Sequence, residues 1–151
     1  MDRKTFEALR DVPGKLIRGD IRFVASRTIR PLLVAEDVRI QNQFGVDLRL
    51  TIKHNPEVGS STFNVHVPGV GPICRLDVDG PPHPPLGRSH KHAVQTEDCP
   101  RRNLPDGVLD RPDLSGKSVP DLFAAFCEMA FIDHHGAFFA PGIEVGGTDG
   151  R

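Results

Sequence analysis

The chain has 151 residues and a mass of 16.6 kDa, which suits one domain with a hydrophobic core and is too short for two. Its 19 Lys and Arg against 20 Asp and Glu leave a net charge of -1, which excludes a global positive field for nucleic acid or anionic membranes; any such contact must be local. No apolar run approaches bilayer-spanning length, and the opening MDRKTFEALRDV is charged where a signal peptide needs an apolar stretch, so a cytoplasmic protein without membrane contact is expected.

Charge is uneven along the chain, with 11 basic and 7 acidic groups in residues 1–53 against 8 and 13 in residues 54–151. Arg18, Arg22, Arg27, Arg30 and Arg39 could line a surface that meets phosphate, but arginines scattered along strand exteriors more often solvate an edge. Asp2 can cap a short helix running to about Arg10, with Phe6 and Leu9 on one face and Pro13-Gly14 as the stop. From Ile21 to Ile40 a stretch rich in Val, Ile, Leu and Arg is broken at Arg30-Pro31, giving two strands or one bent edge strand.

Leu48, Leu50 and Ile52 alternate with Asp47, Arg49, Thr51 and Lys53, the period-two pattern of a strand with one buried face. After a loop at Asn55-Pro56 and Gly59-Ser60, Phe63, Val65 and Val67 form a second such strand, and Cys74, Leu76 and Val78 a third whose other face carries Arg75, Asp77 and Asp79. An antiparallel meander follows. Gly80 to Ser89, with Pro81, Pro82, Pro84 and Pro85, must be a stiff loop, and His90 to Thr96 a further strand. Cys99 to Lys117, with three more prolines, reads as a long irregular stretch. Ser118 as N-cap and Asp121 three positions on begin a helix from Val119 to Ile132, whose Val119, Leu122, Phe123, Phe126 and Ala130 share one face.

The predicted fold is a single α+β domain over 1–136, a twisted antiparallel sheet packed by a short N-terminal and a longer C-terminal helix. A Gly-rich, flexible tail follows over 137–151, in which Phe138 and Phe139 are the residues able to dock. Cys74 and Cys127 fall on apolar faces as core fillers, and Cys99 lies in a loop; no C-x-x-C pair suggests zinc or redox chemistry. His54 reads as a turn residue, His134-His135 as residues suited to a helix C-terminus, and His66 as an outer neighbour of a site.

The concentration of Arg75, Asp77, His83, His90 and His92 around the proline-stiffened loop is unusual. Residues two apart on a strand share a face about 7 Å apart. If the two strands are neighbours, Arg75, Asp77, His90 and His92 therefore converge, with His83 reaching in from the loop. Two chemistries want this set. One is metal-independent phosphodiester cleavage, with His90 and His92 as acid and base, Arg75 as phosphate clamp and Asp77 as the orienting carboxylate. The other is metal binding, in which His90, His92 and a third ligand, Glu97 or His83, would hold zinc, iron or manganese. Against both stands the ordinary reading of an Arg–Asp pair and an H-x-H as a surface ion pair and two exposed histidines.

The string RLDVDGPPH from Arg75 to His83, HKH at 90–92, a long loop and the helix Val119 to Ile132 resemble a loosely defined group of small bacterial proteins that includes the TumE-like toxins of toxin–antitoxin modules. The resemblance covers about Leu48 to Ile132. It implies a small α+β toxin acting on RNA or translation, an antitoxin partner, and a site at Arg75, Asp77, His83, His90 and His92. A second resemblance is to cupins: His90, His92 and Glu97 match the core of their first motif. Pro84 replaces that motif's Gly, however, and no His follows Pro141-Gly142 at the second motif's spacing. The expectation is thus an endoribonuclease-like toxin without cofactor. The alternatives are a cupin-like metal-binding enzyme and a non-catalytic partner-binding module.

Overall fold

In the computed structural model, which describes residues 1–80, 90–94 and 103–142, the chain opens with the expected helix, α1 (Arg3–Asp11). The Asp2 carboxylate accepts from the Thr5 N–H at 2.8 Å, and Phe6 and Leu9 are buried. Gly14, at φ +75°, turns the chain into a three-residue strand, β1 (Lys15–Ile17). Lys15 is 1 % exposed, yet its ammonium has partners: it donates to the Leu9 and Arg10 carbonyls at 2.8 and 2.7 Å. A buried ammonium is tolerable only with such acceptors, and carbonyls at the end of a helix lack intrahelical donors. Each need meets the other.

The sheet follows as β2 (Val24–Ala25), β3 (Leu33–Ile40), β4 (Leu48–Asn55), β5 (Ser60–Val67), β6 (Gly71–Val78), β7 (His90–Val94) and β8 (Asn103–Asp110). Each pairs antiparallel with its neighbour in sequence, so the seven form one meander. The stretch from Ile21 to Ile40 yields two strands, β2 and β3, parted by a loop containing the Arg30–Pro31 bond, which is cis. One face of β4 to β6 is apolar, where Leu48, Leu50, Ile52, Phe63, Leu76 and Val78 have no exposed surface. Against it lies α2 (Val119–Ala130), whose Phe126 stacks on Phe63 with ring centroids 5.4 Å apart. The chain is a single α+β domain with both helices contributing to one core.

Four expectations are corrected. Residues 99–117 are not irregular throughout: β8 and a 3-10 turn at Pro112–Leu114 occupy much of them. The breakers Pro105 and Gly107 misled because β8 is a terminal strand with a large register shift, where Leu104 to Gly107 stand against the single Ala93. Breaker residues are accommodated at such bulges. The C-terminal helix stops at Ala130 rather than Ile132; Phe131, at φ +58°, donates its N–H to the Cys127 and Glu128 carbonyls and ends it. Ile132–His134 is instead β9, parallel to β1. His134 accordingly sits on a strand, its Nε2 2.8 Å from the Gly19 carbonyl, and His54 lies in β4 with Nδ1 2.9 Å from Ser61 Oγ rather than in the turn.

Phe138 does dock. It stacks on Phe123 at 4.5 Å and meets Phe23 edge-on at 5.9 Å, while Ile21 exchanges backbone bonds with Ala137 and Phe139, each 2.9 Å. Residues 137–139 thus belong to the domain. Gly136 approaches Gly19 so closely that a Cβ there would lie 2.4 Å from the Gly19 oxygen.

Candidate functional site

The unburied face of the meander is polar because the same alternation that sends Leu50, Phe63 and Leu76 inward sends Thr51, Asn64 and Arg75 outward. Whether the Arg75 strand and the His90 strand are neighbours decides if the site assembles, and they are. Across β6 and β7, Arg75 is directly opposite His92 and Asp77 opposite His90. Directly opposed residues on an antiparallel pair share a face and lie about 5 Å apart at Cβ, so the four positions form a two-by-two block. On the other side of β6, Asn64 is opposite Arg75 and Thr62 opposite Asp77. His83 and Glu97 lie outside the described residues, as do Thr96 and Cys99.

Within the block, Arg75 Nε donates to Asp77 Oδ1 at 2.9 Å. The Asp77 residue is 7 % exposed, while the Arg75 side chain is 46 % exposed. A carboxylate so enclosed needs donors, and the guanidinium supplies one from its inner edge. The bond uses Nε, and the terminal nitrogens of Arg75 have no partner among the described residues. The guanidinium is thus fixed through one nitrogen, with the other two left available.

Beside the block, Arg75 borders an open groove of about 630 Å³ whose walls include Asp37, Thr51, Lys53, Asn64 and His66. His66 Nε2 is 3.1 Å from Thr51 Oγ1 and 3.8 Å from Asp37 Oδ1. Asn64 Oδ1 is buried and has no hydrogen-bond partner among the described residues. The expectation that His66 faces the polar side is met. Asp37 and Thr51 went unnoticed in the sequence, although one signal was there: Glu36-Asp37 breaks the alternation of β3, and a bulge sits there, between Ala35 and Val38, with Asp37 at φ +55°.

Of the arginines of the basic third, Arg18 and Arg39 line one surface depression. Arg18 donates to Gln41 at 3.0 Å, and Arg22 lies over the Phe139 ring at 3.8 Å. Arg27, Arg30 and Arg39 are exposed, the first two in the loop before β3. Cys74 and Cys127 are buried free thiols, and burial pushes the Cys127 thiol up to about 12, which suits packing and not nucleophilic attack.

Among the described residues no three His, Cys, Asp or Glu side chains gather as a metal-binding group, and no helix is long and apolar enough to cross a membrane. The sequential meander differs from the jelly roll of cupins, whose two Greek keys separate consecutive strands between sheets. Compared with protein-family models, with curated proteins and with solved structures, the chain matches none.

Proposed function

We propose that the chain is a toxin-like endoribonuclease acting in the cytoplasm, which cleaves RNA by histidine acid–base catalysis without a metal and is restrained by a cognate antitoxin protein. The observation that carries this reading is the register of β6 on β7, which sets His92 opposite Arg75 and His90 opposite Asp77. In this chemistry a base takes the proton of the ribose 2′-hydroxyl, whose oxygen attacks phosphorus. The bond from phosphorus to O5′ breaks, and an acid protonates the departing O5′. The products are a 2′,3′-cyclic phosphate and a 5′-hydroxyl, with every proton accounted for and no water consumed. Imidazoles suit both transfers because their protonation changes near neutral pH. Arg75 holds the charge that builds on the phosphoryl oxygens, and Asp77 keeps the guanidinium from rotating away.

The test is cleavage of a mixed-sequence RNA by wild type, His90→Ala and His92→Ala, each with and without EDTA, after circular dichroism shows all three folded. Cleavage that resists EDTA, yields cyclic phosphate ends and falls by about 100-fold or more in at least one of the two variants is expected, and a fall in neither would overturn the use of these histidines. Cleavage abolished by EDTA would overturn the metal-independent mechanism. No cleavage by the wild type would overturn the ribonuclease and leave a partner-binding module.

A further inference from the structure

The mechanism above leaves unused the imidazole whose surroundings are best defined, His66. Its Nε2 meets two groups from different strands: the Thr51 hydroxyl at 3.1 Å and the Asp37 carboxylate at 3.8 Å. Its Nδ1 has no partner among the described residues. Asp37 reaches this place because the β3 bulge puts it at φ +55°, a conformation that Asp tolerates better than most residues, and because its own N–H donates to Thr51 Oγ1 at 3.3 Å. The Thr51 hydroxyl can donate to Nε2 or accept from it, but a carboxylate near Nε2 favours a proton on that nitrogen. The Asp37 carboxylate thereby selects one tautomer, with Nε2 protonated and Nδ1 carrying the lone pair.

Other charges near His66 do not compete for this role. Arg49, across the ladder from it on β4, is taken by Asp47 at 2.9 Å, while Glu36, Lys53 and Arg75 lie along the same groove. His66 and His92 are on strands either side of β6, two ladder spacings or about 10 Å apart in the hydrogen-bonding direction, and they are also offset along the strands, because His66 is opposite Pro72 and His92 opposite Arg75. A phosphate seated on Arg75 would have the His92 position on one flank and Asn64 on the other, with His66 the next outward-facing residue along β5 from Asn64.

We propose that His66 is the catalytic base of this face, with Asp37 and Thr51 as the positioning residues that present its Nδ1 to the substrate in the groove. The assignment rests on the ribonuclease reading. It deepens that reading by placing the attacking 2′-hydroxyl on the groove side of Arg75 and leaving the acid to His90 or His92. Nδ1 accepts the 2′-hydroxyl proton, and the proton that reaches O5′ comes from the opposite flank, so the two histidines exchange protonation states in one turnover.

The experiment combines RNA cleavage kinetics with ¹⁵N chemical shifts of the histidine ring nitrogens in wild type, His66→Asn and Asp37→Asn, the last chosen because Asn also tolerates positive φ. Expected are a loss of about 100-fold in kcat for His66→Asn and about 10-fold for Asp37→Asn, with KM little changed. His66 should show the Nε2-protonated tautomer in wild type at alkaline pH, and a mixture of tautomers in Asp37→Asn. Undiminished cleavage by a folded His66→Asn, or the Nδ1-protonated tautomer in wild type, overturns the role of His66 and leaves the ribonuclease standing. If His66→Asn does not fold, kcat and tautomer in Asp37→Asn decide, and unchanged values there overturn the proposal. A wild type that cleaves no RNA overturns the ribonuclease, and the assignment of His66 with it.

Discussion

On one side of β4, β5 and β6 stand Leu50, Phe63 and Leu76, none with any exposed surface; on the other side of the same strands stand Thr51, Asn64 and Arg75, which border an open groove. The two sets are one residue apart in sequence. A one-residue slip of any strand would exchange them, placing Arg75 in the core and Leu76 in the groove. The apolar face therefore does more than stabilise the domain. By making slips prohibitive it holds the register that puts Arg75, Asp77 and the histidine positions side by side, so the packing of one face sets the chemistry of the other.

The largest effect should come from breaking the inner face. Phe63→Ala removes a fully buried ring stacked on Phe126 and should cost about 3–5 kcal/mol, measured as a fall in the urea midpoint, with loss of activity following from unfolding. The outer face should respond oppositely. Arg75→Ala should lower RNA cleavage by about 100-fold, in line with the removal of one charge-stabilising group. Its stability should fall by about 1–3 kcal/mol, because the guanidinium is half exposed while the carboxylate it leaves behind is enclosed. A variant that unfolds as readily as Phe63→Ala would show that Arg75 serves the fold and not the reaction.

A smaller effect sharpens the contrast at the end of the groove-bearing strand β4. Burial pushes the His54 imidazole below its ordinary value, with a hydrogen bond donated to the Ser60 backbone partly opposing it. The folded protein then binds a proton at His54 less readily than the unfolded chain. Stability from this group is unaffected above the unfolded value of about 6.5 and is lost as pH falls below it. Urea midpoints at pH 7.5 and 5.5 should drop more in wild type than in His54→Asn, whose side chain can still bond Ser61. Equal drops would assign the acid sensitivity elsewhere.

How much of this was legible depended on whether a feature is local. The strands β4, β5 and β6 were readable because each has one buried face and at least three alternating pairs. The caps of α1 and α2 were readable because Asp2 and Ser118 act on the residue three positions ahead. β1 and β9 were not, since three residues are too few for a period to show, and their pairing joins segments more than a hundred residues apart. β8 was hidden by Pro105 and Gly107, which turn into a bulge once β7 lies alongside. The candidate residues Arg75, Asp77, His90 and His92 were visible as a cluster in sequence, but their assembly required the pairing of β6 with β7, which no local pattern encodes. Asp37 was the least visible, because its part comes from a bulge that brings it to a residue on β5, two strands away.

Protein synthesis proceeds from the N-terminus, and the pairing of β1 with β9 gives that direction a consequence. The meander can form hairpin by hairpin as its strands emerge, since each pairs with the one before it. Lys15, Ile17 and Ile21, by contrast, wait for partners more than a hundred positions later, at Ile132, His134 and Phe138. Until those residues leave the ribosome, β1 is held to the rest of the domain by the Leu16–Gln41 bridge, and Ile21 lacks its bridge to Phe138. A nascent chain stopped short of Phe138 would thus carry a paired sheet with Ile21 unpaired, the state in which a chaperone would meet it.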